Sequence, residues 1–192
     1  MKKKCLLLFG SAAISILISC SKSVTGTQLP ATENTTSIKV NFSPSTSYAF
    51  FSFKNNAVVA NTDSVSSKWD FALRLTTFLV NSNASGPGTA GAILQDGIFD
   101  NVTAAPTSGY AYDTAVNKFA IKDGSWYTYN NTTHAFVPKA GKVFIFRTAD
   151  NRYAKMEILE ATYDPFTGPS PDKINYKIRF VYQGNGSTSL IK

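Results

Sequence analysis

The sequence predicts an all-β protein, a single antiparallel β-rich domain with long loops. In the segments Trp69–Leu75 and Asn175–Tyr182 the large apolar residues fall on every second position. Alternation of this kind indicates a strand with one buried face and one polar face. No run of about 11 to 18 residues keeps apolar positions at helical spacing without an intervening Gly, Pro or Asn cluster. We therefore expect a β-sandwich or a curved sheet.

The amino terminus has the profile of a secretory signal peptide. A run of lysines precedes an apolar segment that carries no charge between Cys5 and Cys20. This segment is shorter than the roughly 20 apolar residues that a membrane-spanning helix needs. Its last residues, Leu17-Ile18-Ser19-Cys20, resemble the bacterial lipobox, in which the cysteine is acylated before the signal is removed. We therefore expect a lipoprotein signal over residues 1–19, with an ordinary cleaved signal or an uncleaved anchor as the alternatives.

Cys20 is then the predicted first mature residue, joined to lipid through a thioether. At about 0.8 kcal/mol per buried methylene one acyl chain is a marginal anchor, and two or three chains hold far longer. Residues 20–37 are rich in Ser, Thr and Asn, a composition that predicts a flexible tether. Residues 38–192 are expected to form the β domain, which is long enough for one real core.

The two alternating segments assign residues to buried faces. The expected buried sets are Trp69, Phe71, Leu73 and Leu75 on the first strand, and Tyr176, Ile178, Phe180 and Tyr182 on the second. Lys177 and Arg179 are expected on the opposite face of the second strand. Both segments are therefore interpreted as half-buried antiparallel strands.

A β-hairpin is predicted between these strands. Lys142–Arg147 and Tyr153–Leu159 are separated by Ala149–Arg152, in which Asp and Asn tolerate a tight turn. The remaining strand candidates are Ile38–Phe42, Tyr48–Phe53, Ala92–Leu94, Trp126–Tyr129 and Ala135–Val137. Clusters rich in Gly, Pro, Ser and Asn predict long loops at Asn81–Gly88, Ala104–Gly109 and Pro165–Pro171.

Charge and cysteine content exclude several functional classes. The formal charge is +7, but three lysines lie in the signal, so the mature chain is nearer +4. Its basic residues are scattered singly, and nucleic-acid binding is therefore not expected. Cys5 leaves with the signal and Cys20 is acylated, so the mature domain has no disulfide and no reactive thiol. The sequence has no Gly-x-Ser-x-Gly elbow, phosphate-cradling loop or metal-spaced His/Asp/Glu cluster, and we expect a protein that is not an enzyme.

Four segments together resemble the HmuY family of Bacteroidetes lipoproteins, and they occur in the family's order. They are Trp69-Asp70-Phe71-Ala72; Asn81–Gly88 with Gly91-Ala92; Trp126-Tyr127-x-Tyr129 with Thr133-His134; and Arg147-Thr148-Ala149-Asp150-x-x-Tyr153-Ala154-Lys155. The last of these is the most specific. The resemblance spans roughly residues 48–182, nearly the whole folded domain.

The resemblance implies a predominantly β fold, capture of haem outside the cell and delivery of haem to an outer-membrane receptor. Its best-known members hold the iron between two loop side chains, either two histidines or two methionines. The mature chain departs from that pattern because it contains one histidine, His134, and one methionine, Met156. Haem iron accepts His, Met, Cys or Tyr, so a mixed His/Met site or a single His or Tyr donor stays possible. A haem dimer and another planar ligand are further alternatives.

Five residues are candidates for such a site. His134 follows a polar turn and is free to bind iron, or it is simply a hydrogen-bonding histidine. Met156 shares a strand face with Ala154 and Ile158, which favours core packing over ligation. Tyr110 and Tyr112 lie in a loop that is placed to face a ligand. Arg147, like Arg74 and Lys155, can pair with a propionate or hydrogen-bond its own turn.

The sequence thus predicts a membrane-anchored extracytoplasmic ligand-binding lipoprotein, with haem as its ligand and not as a catalytic cofactor. The expected partners are the membrane, through the acyl chains of Cys20, and an outer-membrane haem receptor. The expected location is the outer membrane, at its cell-surface or periplasmic face. One alternative is an HmuY-like protein that has lost haem and serves in cell-surface interaction or glycan binding. Another is a hydrolase that uses His134 or a carboxylate.

Overall fold

The structure is a computed structural model and describes residues 30–42, 47–165 and 171–192. Within these ranges the chain forms two 3-10 turns, at Asn61–Asp63 and Phe99–Asn101, and eleven strands. In chain order the strands are β1 (Thr32–Asn41), β2 (Ala49–Ser52), β3 (Ala57–Val59), β4 (Phe71–Arg74), β5 (Thr77–Val80), β6 (Gly91–Asp96), β7 (Tyr127–Asn130), β8 (Ala135–Pro138), β9 (Lys142–Arg147), β10 (Tyr153–Tyr163) and β11 (Lys173–Gln183). The predicted all-β fold is confirmed.

The strands form two sheets and a separate hairpin, and all their pairings are antiparallel. The five-stranded sheet has the order β1-β11-β10-β9-β6, and the four-stranded sheet has the order β3-β2-β4-β5. Strands β7 and β8 pair only with each other among the described strands. No helix in the described ranges is long and apolar enough to span a membrane. The predicted signal peptide and the predicted acylation site, Cys20, lie outside the described residues.

The two sheets pack face to face through aromatic rings. The ring of Phe53, just after β2, lies 5.1 Å from the ring of Phe146 in β9. The ring centroids of Phe78 in β5 and Phe144 in β9 lie 5.0 Å apart. Alternation along β9 and β11 directs these large rings inward, where tilted and edge-on contacts add to the gain from burial. The architecture is a β-sandwich whose core lies between the sheets.

The outer face of the five-stranded sheet is also covered. Val143, Ile145 and Val181 point away from the sandwich core and join a second apolar cluster with Ala31, Phe99, Ala105, Tyr110 and Leu190. This cover explains why four successive residues of β9, Val143 to Phe146, are all buried. A central strand with two covered faces needs an apolar run, whereas a half-exposed strand alternates.

Most of the predicted strands are confirmed. Tyr176, Ile178 and Phe180 are fully buried on the core face of β11, and Arg179 and Lys177 lie on the other face. The predicted hairpin is the β9–β10 pair, with Asn151 at a left-handed φ of 60° in its turn.

Trp69 departs from its predicted place. It is buried, but outside the core cluster that holds Phe71 and Leu73. Its ring packs edge-on at 4.9 Å against Phe50, whose neighbour Phe51 points into the core. The reason is that β4 begins only at Phe71, so the strand alternation does not extend back to Trp69.

The amino-terminal part of the domain also differs from expectation. The tether was expected to extend to residue 37, but β1 begins at Thr32 and pairs residue by residue with β11. Ala31, immediately before β1, is buried in the second apolar cluster. An edge strand buries little side chain and draws on backbone pairing, so a polar sequence does not prevent it from forming.

Candidate functional site

His134 lies at the tip of the β7–β8 hairpin, where the chain reverses. The Asn130 side-chain oxygen accepts hydrogen bonds from the backbone N–H groups of Thr132 at 2.9 Å and Thr133 at 3.1 Å. Asparagine commonly forms turns of this kind through its own side chain. His134 completes the reversal with a left-handed φ of 52°. The predicted polar turn therefore exists, and it holds the histidine just outside β8.

The imidazole of His134 is exposed and has one hydrogen-bond partner. Its Nδ1 lies 3.0 Å from the hydroxyl of Tyr129 across the hairpin. The tautomer in which Nδ1–H donates to the phenol oxygen leaves the lone pair of Nε2 available to a metal. Metal-binding histidines usually have their second ring nitrogen fixed in this way.

An aromatic surface continues from His134 along one face of the hairpin. Tyr129 pairs with Phe136 across the two strands, and their ring centroids lie 5.3 Å apart. Phe136 in turn meets the ring of Tyr127 edge-on at 5.2 Å. Tyr129 is 45% exposed, so part of this face is accessible to a flat apolar ligand. We refer to His134, Tyr129, Phe136 and Tyr127 as the hairpin surface.

The hairpin is attached to the sandwich at the far end of β10. The backbone N–H of Phe136 donates to the phenol oxygen of Tyr163 at 2.7 Å. Burial raises the pKa of Tyr163, which keeps this phenol neutral. The buried ring of Trp126, just before β7, packs edge-on against Phe78 in the core.

A cleft of about 530 Å³ adjoins the base of the hairpin. It lies between the start of β5 and the segment 117–123, with Phe119 and Ile121 as apolar lining and Lys118 and Lys122 as cations. Asp123 links the cleft to the hairpin surface because its carboxylate accepts a 2.8 Å hydrogen bond from the Tyr127 hydroxyl. The size is within the roughly 300–1,000 Å³ usual for small-molecule sites.

Two of the predicted site residues are enclosed. Met156 is fully buried in the sandwich core, on the face it shares with Ala154 and Ile158. Its thioether therefore packs against apolar side chains, as the alternation favoured. Tyr110 belongs to the second apolar cluster, and its hydroxyl donates to the carbonyl of Pro106 at 2.8 Å. Burial raises the pKa of this phenol well above its ordinary value, so it stays protonated.

Tyr112 and Arg147 lie together, close to Tyr110. The guanidinium of Arg147 lies 5.6 Å from the ring centroid of Tyr112 and donates two long hydrogen bonds to the carbonyl of Thr89. This cation–π arrangement leaves Tyr112 half-buried. These hydrogen bonds reach the segment before β6, so they are not the bonds to its own turn that were the alternative to a propionate contact.

The predicted residues do not converge on one site. Arg147 is paired with Tyr153 at the start of β10, whereas the hairpin surface is attached to Tyr163 at its end. At about 3.3 Å per residue, roughly 30 Å of strand separates these positions. One small ligand cannot contact both groups. Within the described residues there is also no group of three His, Cys, Asp or Glu side chains suited to a metal ion.

Among the segments that carried the family resemblance, the one from Asn81 to Gly88 is structural. Asn81 donates to the carbonyl of Trp69 at 2.8 Å and accepts from the N–H of Gly88 at 2.9 Å. A Cβ on Gly86 would lie 2.2 Å from the side-chain oxygen of Asn81 and 2.8 Å from the Trp69 ring. Close approach therefore demands glycine at this position. The motif fixes a loop on the sandwich and carries no ligand donor.

The cleft residues were not among the sequence candidates. Phe119 and Ile121 lie between Lys118 and Lys122 in a segment that no strand or turn pattern marked. Three apolar residues flanked by two lysines within a loop were the available signal. Such a pattern is short enough to occur by chance, and only the packing of the segment against β5 makes it a cleft.

Comparison with known proteins finds solved structures with a similar fold. No family model and no curated protein matches the chain. A structure from Bacteroides vulgatus, named an HmuY-like heme-binding protein, is 15% identical, with a TM-score of 0.50 over 78% of this chain and 92% of that one. The apo HmuY analog of Tannerella forsythia is 14% identical, with a TM-score of 0.52 over 78% of this chain and 96% of that one. The resemblance found in the sequence is thus confirmed for the fold, which this chain shares with HmuY-like structures.

Proposed function

We propose that this chain is an extracytoplasmic lipoprotein that binds haem as cargo on the hairpin surface, with His134 as the iron donor. The proposal rests on the exposed imidazole of His134, whose Nδ1 is held 3.0 Å from the Tyr129 hydroxyl. This bond orients the ring and leaves Nε2 for the metal. The names of the two structural neighbours, one heme-binding and one an HmuY analog, support the same ligand class.

The chemistry of haem fits this surface better than the other predicted positions. A porphyrin presents a broad apolar face and one iron, and a single histidine suffices as axial ligand. The ring of Tyr129 and the half-buried ring of Phe136 supply an aromatic face beside the imidazole. Met156 is enclosed in the core, so it is not the second donor. We therefore expect five-coordinate iron with its sixth position open to water or to a receptor.

The anchoring belongs to the same proposal. Cys20, acylated and first in the mature chain, would hold the domain at the outer membrane, on its cell-surface or periplasmic side. A haem carrier in that place would pass its cargo to an outer-membrane receptor. The lipobox-like sequence Leu17-Ile18-Ser19-Cys20 supports this location. Radiolabelled palmitate incorporated by wild type and absent from Cys20→Ala would test the lipid, and protease shaving of intact cells would test the face.

Ferric haem titration of the purified mature protein tests the iron donor. We expect a shifted Soret band for wild type and a different, weaker spectrum for His134→Ala, because water replaces the imidazole. Met156→Leu serves as the matched control for the other candidate donor and should leave the spectrum unchanged. A wild-type Soret band that His134→Ala does not alter would remove His134 from the proposal.

A second candidate function also rests on the hairpin. Tyr129 is 45% exposed beside the polar turn of Asn130 to Thr133, and an exposed aromatic ring beside amide and hydroxyl groups suits a carbohydrate. In this case the protein keeps the fold, no longer binds haem, and serves in cell-surface interaction or glycan binding. Saturable binding in a glycan screen, reduced by Tyr129→Ala in a protein that haem does not perturb, would favour it.

A further inference from the structure

The cleft at the base of the hairpin combines two chemical features. Phe119 is half-buried and Ile121 is almost fully buried, so together they give the cleft an apolar floor. Lys118 and Lys122 line the same cleft and are exposed. The two lysines are four positions apart in sequence, and both border a single space of about 530 Å³.

The two ammonium groups are not neutralised by the fold. Neither Lys118 nor Lys122 forms an ion pair with any residue in the described ranges. The one acid in the lining is Asp123, whose carboxylate oxygen already accepts hydrogen bonds from the Tyr127 hydroxyl at 2.8 Å and from the N–H of Gly124 at 3.0 Å. The cleft therefore retains net positive charge above an apolar floor.

We propose that this cleft binds the carboxylates of a flat apolar dianion, a porphyrin, independently of any metal that the porphyrin carries. The inference rests on the proposed function for the ligand class and adds the part of the ligand that the chain recognises. Lysines act as point charges toward carboxylates, while Phe119 and Ile121 pack against the ring edge. Charge complementarity between two unpaired cations and two propionates selects this occupant.

The cleft and the hairpin surface form one continuous area. From Asp123 the contacts pass to Tyr127, then to Phe136 and to Tyr129, with ring centroids 5.2 and 5.3 Å apart, and end at His134. Two lysines at one end and an imidazole at the other suit an amphipathic macrocycle that lies along the hairpin. In a chain with one available iron donor, the lysine–carboxylate contacts contribute affinity that the missing second donor cannot.

Metal-free protoporphyrin IX is the probe, because it keeps both carboxylates and has no iron for His134. Its binding to the mature protein is followed by quenching of tryptophan fluorescence and by the porphyrin absorbance. The Lys118→Gln and Lys122→Gln double variant should bind about tenfold more weakly, since two exposed charge-assisted contacts are lost. The dimethyl ester of the same porphyrin should bind wild type about as weakly as the free acid binds the variant.

The matched control is the double variant Lys39→Gln and Lys54→Gln, which removes the same net charge from exposed positions outside the cleft. It should bind the free acid as wild type does. An equal loss in both double variants, tight binding of the ester, or no binding of the free acid would each overturn the inference.

The haem titration and the metal-free porphyrin titration together distinguish failure of this inference from failure of His134 as the iron donor. If His134→Ala changes the haem spectrum while wild type ignores metal-free porphyrin, the inference fails and the proposed function stands. If lysine-dependent binding of metal-free porphyrin persists while His134→Ala leaves the haem spectrum unchanged, the iron donor is wrong and the inference stands. The substituted lysines are exposed, so loss of folding does not confuse either result.

Discussion

Asp70 is a buried acid that joins the two sheets. Its carboxylate accepts backbone hydrogen bonds from the N–H of Phe53, after β2, at 2.8 Å and from the N–H of Ala149, in the β9–β10 turn, at 2.9 Å. Burial outweighs these bonds and raises the pKa of Asp70 to about 6. A raised pKa often marks a functional acid, but here both oxygens are committed to the backbone and the role is structural.

The free energy of unfolding should therefore fall as the pH rises from about 4 to above 6. The native carboxyl has a pKa of about 6 against 3.8 for an unperturbed aspartate, so the native state binds the proton more tightly. Its contribution to stability is full below about pH 4 and is lost as the pH rises through 6. At 1.36 kcal/mol per unit the difference amounts to about 3 kcal/mol.

Urea unfolding between pH 4 and pH 7 measures this slope, because midpoints compare stability directly when the m value is unchanged. Asp70→Asn should lose most of the slope and keep the part due to Asp113, because burial also raises the pKa of that carboxyl. The amide has one acceptor oxygen for two N–H donors and should lower stability by about 1–3 kcal/mol throughout. Asp150→Asn, an exposed neighbour whose charge is the smallest of the causes that raise the pKa of Asp70, should retain most of the slope. A slope as steep in Asp70→Asn as in wild type would assign the pH dependence to another group.

At the scale of elements, the sequence predicted the strands with the strongest alternation and the clearest turn. β9, β10 and β11 were found because their core-facing residues are large and the turn at Asn151 is short. β3 and β5 were missed: β3 has three residues, and β5 follows Leu75, whose left-handed φ of 48° begins a turn that apolar composition hides. The second half of β1 was predicted as the strand Ile38–Phe42, whereas Thr32–Ser37 was assigned to the tether because it is polar, and composition does not report backbone pairing.

β1 should contribute to stability from its first residue. Thr32 to Ser37 pair with six residues of β11. Glu33 forms an ion pair with Lys192 and lies 3.9 Å from Arg179, so the strand also contacts the carboxyl-terminal residue. At about 1 kcal/mol net for each hydrogen bond, a chain beginning at Ile38 should lose about 3 kcal/mol or more.

Two shortened chains test this boundary by urea unfolding. One begins at Pro30 and should match the mature protein, because it keeps Ala31 and all of β1. The other begins at Ile38 and should unfold at a lower urea concentration. Equal midpoints would mean that residues 31–37 form a strand without supporting the domain, as a tether would.

Across the whole molecule, β10 separates two groups of residues that the sequence placed together. Tyr112 and Arg147 lie by its first residue, Tyr153, and the His134 hairpin lies by its last, Tyr163. Residue chemistry predicted that each could contact a porphyrin. Their separation follows from the register of the five-stranded sheet. That register depends on pairings between distant parts of the chain and cannot be predicted from any one segment.

The hairpin should open more readily than the sandwich. It belongs to neither sheet, and a principal attachment is the 2.7 Å bond from the N–H of Phe136 to Tyr163. Elements with exposed backbone bonds and few core contacts open locally, at a free energy below that of global unfolding. Hydrogen exchange should therefore be faster in β7 and β8 than in β11, and fastest near the exposed tip at His134.

Tyr163→Phe should loosen this attachment without weakening the core. Removing the acceptor forfeits a net bond of about 1 kcal/mol, so exchange at the Phe136 amide should accelerate about fivefold, while the amides of β11 keep their rates. Tyr182→Phe, the same change on a half-buried β11 residue, is the control and should leave the hairpin unaffected. Haem affinity should fall in Tyr163→Phe alone, because the histidine donor then spends more time away from its bound position. Equal acceleration in β11 and the hairpin would show instead that the hairpin unfolds only with the whole domain, and the histidine would then be as rigidly held as the core.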